Sequence, residues 1–132
     1  ADAGLATVVV DASALAALLF GEPDADRVAG RLAGRRLTAP TLLRYEMASV
    51  HAKKAKRYSS QRHELTGMLR LYPALGIDEV QVDPEAVGSL ADQAGITAYD
   101  AAYLWLARLL GVPVVTLDER LTSAARDLGL PE

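Results

Sequence analysis

Asp11, Glu46, Asp100 and Asp118 are the residues whose types and settings could do chemistry. Asp11 closes the β-branched run Thr7-Val8-Val9-Val10, and Asp118 closes Pro113-Val114-Val115-Thr116-Leu117. Each has an ordinary explanation as the N-cap of a following helix, because an Asp side chain accepts from a helix's first free N–H groups. Thr116-Leu117-Asp118-Glu119 also has the form of a capping box. Asp100 falls in the first turn of a segment that is apolar almost all round, from Tyr99 to Leu110. Such a helix is buried and would carry the acid inward, although Thr97 and the helix dipole could also account for it. Glu46 is the hardest to explain structurally. Leu42, Leu43, Met47 and Val50 form an apolar stripe, and Glu46 lies three or four residues from three of them, so it points with the core face. A carboxylate is seldom buried unless paired or metal-bound. The positions three and four residues away hold Leu42, Leu43, Ser49 and Val50, so only a distant Arg could pair it.

If these four acids converge, like charges share one small volume, and repulsion raises their pKa values unless a cation neutralises them. With oxygen ligands alone and no cysteine, the fitting cation is Mg²⁺ or Mn²⁺. Such an ion keeps waters, binds phosphates and supports in-line displacement at phosphorus. The chemistry implied is phosphodiester hydrolysis, by a nuclease or a phosphatase. Ser13 and Thr116, each two residues from a candidate acid, are possible accessories that bind water or phosphate, or simply caps. His51 and His63 lie in basic, polar sequence and read as surface histidines rather than ligands.

The elements that must position these residues follow from apolar runs and their punctuation. Strands are expected at Thr7–Val10, weakly at 36–39, at 77–82 and at 113–117. Helices are expected over about 13–20, 24–32, 41–57, 60–75, 84–94, 99–110 and 119–128, with Gly21, Gly34, Gly95, Gly111 and Gly129 as stops. The long third helix opens at Pro40-Thr41, and Ser59-Ser60 separates it from the fourth. Strands alternating with helices predict an α/β fold, a three-layer α/β/α sandwich around a central parallel sheet. In such sheets ligands bind outside the carboxyl ends of the strands, where Asp11 and Asp118 stand.

The 132 residues suit a single domain over 1–132. Hydrophobic residues make up 51% and charged residues 23%, the balance of a globular chain rather than a disordered one. The absence of cysteine excludes a disulfide scaffold and any thiolate zinc site, and suits a reducing compartment. No apolar stretch is long enough for a membrane span. Ala6–Phe20 lacks a basic leader and is interrupted by Asp11, so it is not read as a signal peptide and a cytoplasmic location is expected. The chain opens on Ala rather than Met, as a processed or engineered start would.

The formal charge of −3 argues at first against a nucleic-acid partner. Setting the four candidate acids aside leaves 13 acidic against 14 basic residues, a balance of +1. Lys53, Lys54, Lys56, Arg57 and Arg62 form a basic patch. Lys53 and Arg57 stay near Glu46's helix face, about 10 and 16 Å along the axis, where they could guide a nucleic-acid backbone or merely complement the helix dipole. Tyr45, Tyr58 and Tyr72 could stack on bases, although core or rim positions are the commoner use of tyrosine.

Together these motifs resemble the PIN-domain nucleases, most closely the VapC-type toxins of prokaryotic toxin–antitoxin pairs. Val9-Val10-Asp11-Ala12-Ser13-Ala14-Leu15 is similar to the family's first acidic motif, and Pro40-Thr41-Leu42-Leu43-Arg44-Tyr45-Glu46 to its second. Thr97-Ala98-Tyr99-Asp100-Ala101-Ala102-Tyr103-Leu104 resembles the third, and Val115-Thr116-Leu117-Asp118-Glu119-Arg120-Leu121 the fourth. The resemblance implies a divalent-metal endoribonuclease in which Asp11, Glu46, Asp100 and Asp118 hold Mg²⁺ or Mn²⁺, directly or through water. It implies attack by an activated water that leaves a 5′-phosphate and a 3′-hydroxyl. It also implies a structured RNA substrate, a homodimer and silencing by a small cognate antitoxin protein.

Other readings remain at this point. A PIN nuclease of RNA processing would need no antitoxin, and a structural PIN domain would only bind a partner. A receiver-type phospho-acceptor domain shares an acidic Mg²⁺ pocket, but it would want paired acids after the first strand and a Lys after a late one. Here a single acid follows the first strand, and Asp118-Glu119 follows the last.

Overall fold

The computed structural model describes residues 5–132. Val8, Val9 and Val10 are β-branched and sheathed by helices, so β1 (Thr7–Val10) is a buried central strand. It leads into α1 (Ala12–Leu19) and α2 (Ala25–Leu32), then β2 (Arg36–Pro40) and the long α3 (Leu43–Arg57). A 3₁₀ turn over Ser59–Gln61, α4 (Arg62–Leu69) and a second 3₁₀ turn over Tyr72–Leu75 precede β3 (Asp78–Val80). The chain closes with α5 (Pro84–Ala94), α6 (Ala98–Leu110), β4 (Val114–Val115) and α7 (Glu119–Asp127).

The strands form one parallel sheet in the order β3-β2-β1-β4. From β1 the chain steps outward to β2 and β3, then returns to β1's other side as β4. The order therefore reverses between β1 and β4, the kind of point at which open α/β sheets leave a crevice at their carboxyl edge. Helices cover both faces in the three-layer arrangement expected. Helix α6 lies against β1, β2 and β4 and carries α5, while α1 packs on α2 and α3, and α3 on α4. Val9, Leu15, Leu43, Met47, Leu104 and Leu106 are all but sealed from solvent in one contiguous core. Each such side chain contributes roughly 1.5–3 kcal/mol by leaving water.

Four expected elements are corrected. Pro40 does not open α3. It is buried at the end of β2 opposite Val80, and the helix begins at Leu43. Proline's fixed φ suits an extended residue, and its missing N–H is harmless at a strand end. The single helix expected over 60–75 is divided, because Pro73 cannot continue a helical ladder. The strands expected at 77–82 and 113–117 are shorter, at Asp78–Val80 and Val114–Val115. Both lie on edges of the sheet and pair on one side only.

Candidate active site

Asp11 stands between β1 and α1, where the sequence reading places an N-cap. It caps α1 by accepting from the Ala14 N–H at 3.0 Å. It is also buried, 5% exposed, at the carboxyl edge of the sheet. Its Oδ1 accepts from Ser13 Oγ at 2.8 Å, and its Oδ2 accepts from Thr116 Oγ1 at 2.5 Å. The pairing of Val10 with Val115 brings Thr116, 105 residues away in sequence, against the carboxylate. Burial pushes the Asp11 pKa above the usual carboxylate range. The hydrogen bonds from Thr116, Ala14 and Ser13 pull it back in part, and the charge of Asp118 adds to the rise.

Ser13 and Thr116 thus act first on Asp11. Their remaining capacity holds the loop after β4: Ser13 Oγ accepts from Leu117 N at 2.9 Å, and Thr116 Oγ1 accepts from Asp118 N at 3.0 Å. That loop delivers Asp118 to the N-terminus of α7, where it accepts from Arg120 N at 2.8 Å and Leu121 N at 3.4 Å. Arg120 Nε lies 3.9 Å from Asp118 Oδ1, and the Arg120 side chain is 87% exposed. An ion pair at that distance and exposure is weak.

Glu46 lies in the first turn of α3, half-buried, on the face its neighbours predicted. Among the described residues, no Arg forms an ion pair with it. It accepts from the Tyr103 hydroxyl on α6 at 2.5 Å. Its pKa is raised by burial and, more weakly, by the charges of Asp11 and Asp100, while the Tyr103 bond lowers it. Burial and the adjacent Glu46 carboxylate push the Tyr103 hydroxyl far up, so it stays protonated and donates. Tyr103 was read from sequence as one more apolar residue of α6. The available signal was chemical: a buried tyrosine needs a partner for its hydroxyl.

Asp100 stands half-buried in the first turn of α6. Its N–H donates to Thr97 Oγ1 at 3.1 Å, so Thr97 caps the helix, and among the described residues no bond from Asp100 back to Thr97 completes a capping box. Gly95, Ile96, Thr97, Asp100 and Arg120 line one cavity of about 280 Å³.

Among the four acids, the charge of Asp118 adds to the rise at Asp11, and the charges of Asp11 and Asp100 add to the rise at Glu46. They are not one tight knot. Among the described residues, no three His, Cys, Asp or Glu side chains are close enough to enclose a metal ion. The donor chemistry nevertheless fits a hard, partly hydrated cation. Asp11, Glu46 and Asp100 have no ion pair among the described residues, and the donors on Asp11 and Glu46 are neutral. Mg²⁺ usually takes one or two carboxylates directly and keeps several waters, so its site is wider than a bare-ion cage.

The remaining candidates lie outside this group. Lys53 and Arg57 are exposed on α3, and the Arg57 guanidinium sits 5.4 Å from the centre of the Tyr58 ring. Lys54 of the basic patch is instead tied to Glu22 at 2.6 Å. His63 is exposed as expected. His51 is not a surface residue: it is half-buried, with Nε2 3.0 Å from Thr66 Oγ1. Tyr72 donates to Glu79, which also takes the Arg44 guanidinium at 2.8 Å, so Tyr72 braces the rim of the sheet.

The model of the PIN domain family matches residues 8–127. The chain belongs to the PIN-domain family. Its curated relatives include Ribonuclease VapC3 of Pyrobaculum aerophilum, 33% identical over 86% of this chain and 91% of the relative. Ribonuclease VapC9 of Mycobacterium tuberculosis is 32% identical over 90% of this chain and 91% of the relative. Ribonuclease VapC12 of the same organism is 29% identical over 89% and 91%. Among solved structures, that of PAE2754 from Pyrobaculum aerophilum superposes with a TM-score of 0.63, at 24% identity and 94% coverage of both chains. That likeness concerns the PIN fold alone. Membership of the PIN family sets the receiver-type reading aside. Among the described residues, no helix is long and apolar enough to cross a membrane.

Proposed function

We propose that this chain is a toxin endoribonuclease of a toxin–antitoxin pair, a single PIN domain that hydrolyses RNA phosphodiester bonds with Mg²⁺ or Mn²⁺ held by Asp11, Glu46, Asp100 and Asp118. The observation that carries the reading is that Asp11 and Asp118 stand at the adjacent carboxyl ends of β1 and β4, and that Asp11, Glu46 and Asp100 lack a cationic partner among the described residues. The family match and the ribonuclease relatives support RNA as the substrate. Bound there, a divalent ion supplies Lewis acidity, polarising a phosphoryl oxygen and making water nucleophilic near neutral pH.

The protein's own part is positioning. Ser13, Thr116 and the Ala14 N–H aim Asp11, and Tyr103 aims Glu46. Asp11 and Asp118 cap the N-termini of α1 and α7, Glu46 and Asp100 stand in the first turns of α3 and α6, and helix N-termini favour an incoming phosphate. Lys53 and Arg57 are the residues we assign to the RNA backbone further along α3. The family resemblance supports a small antitoxin protein as partner, a homodimer and a cytoplasmic location.

The test is sequencing of RNA 5′ ends after expression of the parent and of Asp11→Asn. The proposal expects new 5′-phosphate ends at defined sites with the parent and none with the variant. Equal cleavage by both would overturn it. An antitoxin-like reading frame immediately upstream is the corresponding expectation for the partner.

A further inference from the structure

Four helix N-termini bear the candidate acids, and three of them are fixed by a capping side chain. Asp11 caps α1, Thr97 caps α6 and Asp118 caps α7. Helix α3, which carries Glu46, has Leu42 at that place and no side-chain cap among the described residues. Its second residue, Arg44, also has the wrong sign for that end, since a cation there opposes the helix dipole. Strand β3 accounts for both features. Arg44 Nε donates to Glu79 Oε1 at 2.8 Å, and the Tyr72 hydroxyl donates to Glu79 Oε2 at 2.9 Å. Both carboxylate oxygens are thus taken, by groups from two different segments. The Glu79 side chain is 12% exposed against 55% for Arg44, so the pair is not a loose one held wholly in water. The backbone on either side of Glu79 is pinned as well. Thr38 Oγ1 donates to Asp78 O at 2.8 Å, and Thr41 N donates to Val80 O at 3.0 Å. Arg44, Tyr72, Pro73, Gly76, Ile77 and Glu79 line a cavity of about 400 Å³. Close packing does not fill the gap between α3 and the 72–79 segment here, and the two hydrogen bonds span it. Tyr72 also stands near enough to Tyr103, the donor to Glu46, to add to the rise of the Tyr103 pKa.

We propose that Glu79 is a positioning residue for Glu46: clamped by Arg44 and Tyr72, it fixes the first turn of α3 against β3 and so sets where the Glu46 carboxylate stands. This inference rests on the divalent-ion reading of the four acids and adds a residue that touches neither metal nor RNA. Arg44 and Glu46 are two residues apart on one turn, so any slide or rotation of that turn moves both. Tyr103 holds the Glu46 carboxylate from α6, and the Glu79 clamp holds the backbone that bears it. A binding constellation must be held within about 0.5 Å, and Mg²⁺ demands near-ideal octahedral geometry, so a loosened turn registers first as weaker metal binding.

The experiment is Mn²⁺ titration of the metal-free protein by calorimetry, with thermal melts alongside. Glu79→Gln, Arg44→Met and Tyr72→Phe should each weaken Mn²⁺ binding about tenfold. The last two remove a single donor and keep its stem or ring. Arg44→Lys, whose ammonium can still donate to one oxygen, should retain most of the affinity. Glu22→Gln is the control. It cuts the 2.6 Å ion pair with Lys54 further along the same helix and should leave Mn²⁺ affinity at the parent value. Combined with Tyr103→Phe, Glu79→Gln should cost less than the product of the two separate losses, because both act on Glu46. Parent affinity in all three clamp variants would overturn the inference alone. So would a loss in Glu22→Gln as large as theirs, or fully multiplicative losses with Tyr103→Phe, since either makes the clamp a general stabiliser. If Glu79→Gln does not fold, Arg44→Met and Tyr72→Phe carry the same expectation. A parent that binds no Mn²⁺ would overturn the divalent-ion reading and this inference together.

Discussion

Replacing Thr116 by Val keeps the shape of a buried, 7%-exposed side chain but removes the hydroxyl that donates to Asp11 and accepts from Asp118 N. A hydrogen bond to a charged group is worth about 1.5–3 kcal/mol, and the orphaned Asp118 N–H adds a smaller loss, so the metal-free protein should lose roughly 2–3 kcal/mol near neutral pH. In a chain of this size that is a fall in Tm of about 6–12 °C. The loss should depend on pH in a defined direction. The Thr116 bond lowers the Asp11 pKa, so its loss lets that pKa rise further. Once Asp11 is protonated it no longer needs a charge-assisted donor, and the penalty should shrink to about 1 kcal/mol near pH 4. Scanning calorimetry of metal-free parent and Thr116→Val across pH reads this directly, and Thr116→Ser should recover most of the stability. A penalty below about 0.5 kcal/mol, or one independent of pH, would refute the claim that Thr116 sustains a buried Asp11 carboxylate.

Three further outcomes follow from the same geometry. Burial raises the folded-state pKa values of both Asp11 and Glu46 above their ordinary 3.8 and 4.5, so in that window the folded chain holds more protons than the unfolded one. These two groups therefore make metal-free stability fall as pH rises above about 4, and urea midpoints should show that fall shrinking when Mn²⁺ is added. Tyr103→Phe should cost about 1 kcal/mol by thermal melts and lower metal affinity or RNA cleavage about tenfold to a hundredfold, because Glu46 loses its orienting donor. Lys53→Ala and Arg57→Ala should each weaken RNA binding uniformly across sequences and reduce the salt slope by about one unit, as measured by anisotropy against salt concentration.

Much of this site was legible because its signals are local. Val8-Val9-Val10 before Asp11, and Val114-Val115 shortly before Asp118, mark strands whose carboxyl ends hold acids. The stripe around Glu46 shows from spacing alone that a carboxylate faces inward. The rest was hidden because it depends on which elements become neighbours. Nothing near Thr116 announces that it will meet Asp11, because that contact exists only once β4 pairs with β1 and reverses the strand order. Tyr103 is likewise explained only when α6 and α3 face each other across Glu46. Pro40 misled locally: proline opens helices and ends strands equally well, and the register with β3 decided for the strand.

The central claim is that Asp11, Glu46, Asp100 and Asp118 act as one divalent-ion site. The most direct measurement is Mn²⁺ titration by calorimetry of the metal-free parent, Asp11→Asn and Asp100→Asn. The account predicts saturable binding to the parent that Asp11→Asn abolishes and Asp100→Asn weakens, with both variants folded. Unaltered Mn²⁺ binding by Asp11→Asn, or no binding by the parent, would contradict it.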